Sequence, residues 1–522
     1  MKKKLLISFF AGIALMASMP SCTNLDEDVY DKLPADDFGS TAIEVNALMG
    51  TTYNTLKTFW PGSYLYLSEN GGSMAVTPTR IGGDWYDGGQ YREIYMHAWN
   101  AQTGAVKSAW SAASTALGTC NATISVLENS SFLSDADKAM NVAAMRGVRA
   151  FWLYTMMDYW GNIPLVTSYE DKALPSIKPR QEVFDWLIKE VADIADKCPD
   201  VSTATYGKFT KGSAYALLSK LYLNAEAWGV TVSGNAYQQA VAACDKVIAM
   251  NYILEPDFKT NFGILDRSRE AILTICFDES DTNDRNQLMN MTLHYADNLS
   301  DGNKVSSWNG VCAQPDYVKL FDTEDPRFAA TFRIGQRYNK ETGEILLTGQ
   351  QNPLNYSIDI NYIPGTEKDG LAWAEVVQEA GARCQKWPYS TSLTNALGNH
   401  FHIFRLAETY LTKAEALLRS GGDVTEATRL VNLVRARAYG NTEHNYTTVD
   451  LDKIALERKF ELAWEAWSRQ DDIRFGTFEK TNWSNSIVQR LTGAHLKLYP
   501  ISQDAYQTNQ NLVQNPGYPP FK

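Results

Sequence analysis

Apolar side chains recur every three or four residues through the middle and the end of the chain, the spacing that gathers them on one face of a helix. In 213–227 the stripe is Ala214, Leu217, Leu218, Leu221, Tyr222 and Ala225. Beyond the turn from Gly229 to Asn235 it resumes through Tyr237, Ala240, Val241, Cys244, Val247 and Ile248. Helices are likewise predicted over 139–159 and over 181–197, the latter with Val183, Phe184, Leu187, Ile188, Val191 and Ile194 as its core stripe. A further helix is predicted over 404–418 through Phe404, Ala407, Leu411, Ala414 and Leu418. After Gly421-Gly422 breaks the chain, another carries Leu430, Leu433 and Val434. The stretches 60–100 and roughly 251–400 lack this period. They hold glycine doublets, prolines and short strand-like runs such as Ala271 to Phe277, so they predict an irregular, loop-rich face.

The helices come in pairs with small residues at the crossings, as in tetratricopeptide repeats, but without a fixed 34-residue period. That predicts helix pairs embedded in a globule rather than a free solenoid. The stripes are scaffold; function is expected on the loops that the scaffold holds.

The start of the chain reads as an address. Lys2-Lys3-Lys4, the uncharged run Leu5 to Met19 and Pro20-Ser21-Cys22 make a secretory signal over 1–21. Cys22 stands where a bacterial lipoprotein is acylated, although the residue three before it is Met19 rather than Leu. An acidic tether over 22–40 follows, with Asp26, Glu27, Asp28, Asp31, Asp36 and Asp37 against Lys32. A single domain is expected over 41–522, with helix pairs in 41–250 and the loop-rich insertion and last helices in 251–522. Removal of the signal takes three lysines, so a net charge of −12 becomes −15. That balance argues against a nucleic-acid partner, which needs a basic footprint. The six remaining cysteines have no CxxC spacing and read as buried thiols, and His400-Phe401-His402 lacks a third metal ligand. No metal or other cofactor is expected; a structural calcium stays open, with no EF-hand-like loop to mark one.

Several phrases, ordered along the mature chain, together resemble the SusD/RagB family of surface glycan-binding lipoproteins. They include Arg149-Ala-Phe-Trp-Leu-Tyr154 running into Tyr159-Trp-Gly-Asn-Ile-Pro164, and Gly207-Lys-Phe-Thr-Lys-Gly-Ser213. Others are Phe404-Arg-Leu-Ala-Glu408, Leu456-Glu-Arg-Lys-Phe-Glu-Leu-Ala-Trp-Glu465, Asp472-Ile-Arg-Phe-Gly476 and Gln514-Asn-Pro-Gly-Tyr518. Where the family usually has Glu-Gly-x-Arg-Trp, this chain has Glu465-Ala466-Trp467-Ser468-Arg469. The resemblance implies a mostly α fold, with four tetratricopeptide-like helix pairs supporting an irregular face with short strands. It implies a non-catalytic role: binding oligosaccharide or polysaccharide at the cell surface for a SusC-like TonB-dependent transporter. It also implies an outer-membrane location through the lipid anchor alone.

The aromatic load, 14 Trp, 27 Tyr and 20 Phe, suits sugar recognition, which needs flat rings against C–H faces and planar polar groups for hydroxyls. Two glycine doublets bracket Asp84-Trp85-Tyr86-Asp87, and the run leads through Tyr91 and Tyr95 to Trp99-Asn100. A second loop runs from His294-Tyr295 to Trp308-Asn309. The family's glycan surface, carried onto these positions, names Trp85, Trp99, Tyr295 and Trp308 as stacking residues. Arg80, Asp84, Asn100 and Asn309 follow as their polar partners, with Trp387 a weaker element. Two other readings stay open. One is a peptide- or protein-binding helical-repeat lipoprotein. The other is a glycoside hydrolase using two of Glu457, Glu461 and Glu465, against which an ion-paired structural helix explains the same pattern.

Overall fold

The computed structural model describes residues 39–264, 267–278, 284–303, 305–366, 374–388, 398–479 and 490–522. The signal segment, Cys22 and nearly all of the expected tether lie outside the described residues. Ten of the described helices reach seven residues or more. They are α1 (Ala42–Thr55), α2 (Gly104–Asn129), α3 (Asp135–Trp160), α4 (Arg180–Ala195) and α5 (Lys211–Trp228). The rest are α6 (Ala236–Ile248), α7 (Leu406–Arg419), α8 (Val424–Tyr439), α9 (Leu451–Leu462) and α10 (Ser468–Arg474). Side chains close several N-termini: Ser134 Oγ accepts from the Asp137 amide, and Asn235 and Asp450 do the same for α6 and α9.

From α2 to α6 each helix packs on the next, and α6 then packs on α7, which receives α8 and α9. Residues 249–405 are thus an insertion between two spatial neighbours. Its base is closed by an antiparallel pair, Ala271–Ile275 with Phe401–Arg405. Among the described residues the other strands are two-residue pairings, so the inserted face has almost no regular sheet of its own. The mostly α architecture and the loop-rich insertion follow the sequence pattern.

Three details differ from it. Phe404 lies on a strand, and α7 begins at Leu406. Helices α1 and α2 have no counterpart in the sequence pattern, because the buried face of α1 has only Val45, Met49 and Thr52 and that of α2 is rich in Ala, with Asn121 and Thr123. Helix α9 ends at Leu462, and Trp464 and Ala466 turn the chain through φ of 67° and 69°, so Glu465 sits in a turn. Most of the aromatic load packs the interior. Trp60, Trp152, Trp160, Trp387 and Trp464 are fully enclosed, and Phe401 stacks on both Trp60 and Trp387.

The three glutamates of the last helical region are buried, and each meets cations. Glu457 pairs with Arg327 and Arg435, both at 2.7 Å. Glu461 pairs with Arg405 at 2.6 Å, Arg327 at 3.0 Å and Arg437. Glu465 meets Arg405 at 2.7 Å and Lys386. Glu270, at the start of the insertion's paired strand, joins through Arg437 at 2.7 Å, and Asp325 joins through Arg327 at 2.7 Å. Five carboxylates face five cations, drawn from both the insertion and the C-terminal helices. Burial pushes Glu461 up, but the guanidiniums of Arg437, Arg405 and Arg327 outweigh it and hold the carboxyl below its ordinary range.

Cys120, Cys198, Cys244, Cys312 and Cys384 are buried free thiols, and Cys276 is half-buried. His402 bonds Thr274 Oγ1 at 2.9 Å and the Asn261 carbonyl at 2.7 Å, and His400 Nδ1 accepts from the Phe277 amide. Both rings serve the base of the insertion.

Burial pushes His400 and His402 down to about 4, as it does His294. Above the unfolded value near 6.5 these rings are neutral in both states. As pH falls from about 6.5 to about 4, the unfolded chain takes up protons that the folded chain refuses, so stability is lost. Glu69 acts in the opposite sense: burial raises it to about 8, against the Ala466 amide that donates to it. Its contribution is complete below about 4.5 and is lost as pH rises to about 8. Urea unfolding between pH 4.5 and 8.5 is expected to show a maximum near pH 6.5. Glu69→Gln should flatten the alkaline side and steepen the acid side, because Glu69 opposes the histidines between about pH 4.5 and 6.5; an unchanged alkaline slope contradicts this account.

Candidate glycan platform

Six of the eight residues expected at a ligand face come together where the loop after Thr79–Arg80 meets the loop 290–310. The Arg80 amide donates to the Asp84 carbonyl at 2.8 Å, closing the tight loop Arg80–Asp84. The Arg80 side chain then ties its own loop to two other segments. Nε donates to the Asn309 carbonyl at 3.0 Å, one terminal nitrogen to the Gly310 carbonyl at 2.9 Å and the other to the Ala380 carbonyl at 2.7 Å. Asn309 Oδ1 accepts from Arg383 at 2.9 Å. Arg80 and Asn309 are fully buried, so they build the floor of the site and do not reach a ligand. Burial, with the Arg383 charge beside it, lowers Arg80 to about 10.

On that floor stand the aromatic rings. The indole N–H of Trp85 donates to the Trp308 carbonyl at 2.6 Å, tying the two loops together. The Trp85 ring lies against Gly310 so closely that a Cβ there would sit 2.4 Å from ring carbons, and glycine is required. Tyr91 backs the indole with ring centroids 5.4 Å apart. Trp308 is 38% exposed, Trp85 and Tyr295 are half-buried, and Asp84 is exposed at the edge. The Tyr295 hydroxyl lies 3.5 Å from Asp84 Oδ2. Trp85, Asp87 and Asn309 have φ of 63°, 41° and 58°. Non-glycine residues hold such conformations only when their surroundings impose them, as ligand clamps often do.

Trp99 and Asn100 belong elsewhere, which corrects their assignment. Trp99 is buried between His97 and Tyr499, and its indole N–H donates to the Tyr518 hydroxyl at 2.7 Å. Asn100 is exposed but occupied by the turn into α2: its amide donates to Thr103 Oγ1, and its Oδ1 accepts from the Gln102 amide. Trp387 is enclosed, and its indole N–H donates to the His400 carbonyl at 3.0 Å.

Gln378 carried no signal in the sequence, and His294 was marked only as the start of the second loop. Gln378 donates to the Tyr295 hydroxyl at 2.5 Å, and His294 Nε2 meets Gln378 Oε1 at 3.2 Å. Glutamine in Val376-Val377-Gln378 gives no motif, and only the fold brings it to Tyr295. Among the described residues no group of three or more His, Cys, Asp or Glu could hold a metal, and no helix is long and apolar enough to cross a membrane.

Two family models match the chain. One, described as the SusD family, matches residues 269–518; the other, described as starch-binding associating with outer membrane, matches residues 25–223. The chain is 27% identical over 432 residues to the starch-binding protein SusD of Bacteroides thetaiotaomicron, covering 75% of each chain. Its fold is similar to that of a laminarin-binding SusD-like protein, with a TM-score of 0.71 and 20% identity over 92% of this chain and 100% of the other. It is also similar to surface glycan-binding protein A of Bacteroides thetaiotaomicron, solved in complex with laminarihexaose. There the TM-score is 0.70 and the identity 18%, over 91% of this chain and 99% of the other.

Proposed function

The chain belongs to the SusD/RagB family, and from that premise we propose that it binds oligosaccharide or polysaccharide without cleaving it, on the Trp85–Tyr295–Trp308 platform. The observation that carries this reading is an exposed tryptophan, fixed at its backbone, beside a second indole, a phenol and a free carboxylate. Rings of this kind lie against the C–H faces of a sugar, while Asp84 and the Tyr295 hydroxyl take its hydroxyls. The relatives support the ligand class: one is named for starch, and the two solved structures are named for laminarin and surface glycans.

A hydrolase needs two carboxyl groups that open onto substrate. Glu457, Glu461 and Glu465 are instead enclosed in their ion pairs, with no face toward solvent. We read residues 41–522 as one domain, delivering glycan to a SusC-like TonB-dependent transporter from an anchor at Cys22. The anchor is testable by itself. Cys22→Ala should abolish incorporation of labelled palmitate and release the protein from the membrane fraction; labelling that persists in the variant refutes it.

The glycan reading is tested by native gels containing soluble starch, laminarin, xyloglucan, pectin or mucin O-glycans. Retardation in at least one, with no release of reducing sugar, is expected. Mobility unchanged in all of them, with capture of peptides instead, would favour the helical-repeat adaptor.

A further inference from the structure

We propose that Gln378 fixes the direction of the Tyr295 hydroxyl, so that Tyr295 donates to the ligand while Asp84 accepts, and the pair reads one free sugar hydroxyl. This rests on the glycan reading above. The Ala296 amide donates to His294 Nδ1 at 3.1 Å, which places the ring proton on Nε2. Nε2 therefore donates to Gln378 Oε1 at 3.2 Å, and the Gly349 amide donates to the same oxygen at 2.8 Å. Two donors on one oxygen leave no freedom in the amide orientation: the NH₂ group must face Tyr295, to whose oxygen it donates at 2.5 Å.

The consequence lies at the phenol. Tyr295 has a single proton, and an oxygen that already accepts from Gln378 must send that proton outward. The acceptor in that direction is Asp84 Oδ2, at 3.5 Å, the far limit of a hydrogen bond. Burial, and then the Asp84 charge, raises the phenol above its ordinary value, so it keeps its proton at neutral pH. A carboxylate can only accept, and here the phenol can only donate. A group that accepts from one and donates to the other is a hydroxyl. An O-methylated or O-acetylated position can satisfy Tyr295 but not Asp84. The ligand is therefore a saccharide with an unsubstituted hydroxyl at the platform. Gln378 and His294 act as positioning residues behind Tyr295.

Gln378→Glu tests this with nearly the same shape. The His294 and Gly349 donors keep one carboxylate oxygen, and the other now accepts the Tyr295 proton, turning the phenol inward. In gels containing soluble starch, laminarin, xyloglucan, pectin or mucin O-glycans, Tyr295→Phe is expected to weaken retention about tenfold in the wild-type background. In the Gln378→Glu background it should cost nothing further. Gln378→Met, which frees the phenol without reversing it, serves if the glutamate variant fails to fold: there the Tyr295→Phe loss should shrink without vanishing. A Tyr295→Phe loss of equal size in both backgrounds overturns the inference and leaves glycan binding standing. A wild-type protein retarded by none of the five overturns both.

Discussion

Replacement of Glu461 by Ala is expected to destabilise the protein by about 3–5 kcal/mol, the range found when one partner of a buried ion pair is removed. Glu461 is fully buried and shared by Arg405, Arg327 and Arg437. Its loss leaves three guanidiniums facing one another with their common anion gone, and the cost is the uncompensated charge more than the lost attraction. Such a change approaches the whole stability of an ordinary domain, about 5–15 kcal/mol. Arg405 also precedes α7, and Arg327 lies in the insertion, so the insertion should loosen from the helices together with the network. The contrast is Glu426, which pairs with Arg429 and Lys413 at the surface. Glu426→Ala should cost less than about 1 kcal/mol. Urea midpoints of the two variants decide the matter: equal losses would remove the network from its place as the clamp between insertion and scaffold.

The network also shows what the sequence could and could not convey. Glu457 and Glu461 share one face of a helix, and that much is visible in their spacing. Glu465 follows at the same interval, yet it reaches the network from a turn, because Trp464 and Ala466 take left-handed conformations that periodicity does not report. The helix pairs were legible because their apolar stripes are dense, whereas α2 was hidden because its packed face is rich in Ala and includes Asn121 and Thr123. At the platform, the glycine doublets marked the stretch around Trp85 as a loop, which it is. Exposure was not legible. Arg80 and Asn309 have the chemistry of ligand partners, and their hydrogen bonds are taken up in holding three loop segments together. Trp99 lies too deep to meet solvent. Gln378 reaches Tyr295 only because chain segments far apart in sequence converge there.

Trp308→Ala is expected to weaken glycan binding about 10- to 100-fold, or roughly 1.4–2.8 kcal/mol, as for an aromatic anchor at the centre of a contact. The change should be a binding effect alone. The Trp308 ring is exposed, and the site is held by its carbonyl and amide, which bond Trp85 and Asn290 and persist in alanine. Trp85→Ala removes a ring that also fills the space over Gly310 and packs on Tyr91, so it should cost both affinity and stability. Trp99→Ala should cost stability only, because its ring faces His97 and Tyr499 inside the protein.

Affinity electrophoresis of the wild type, Trp308→Ala and Trp99→Ala, in the polysaccharide that retards the wild type, is the direct test of the platform. The predicted result is retardation lost in Trp308→Ala, with an unfolding midpoint equal to the wild type's, and retained in folded Trp99→Ala. Retardation of Trp308→Ala equal to that of the wild type would place the sugar elsewhere on the molecule and contradict the account.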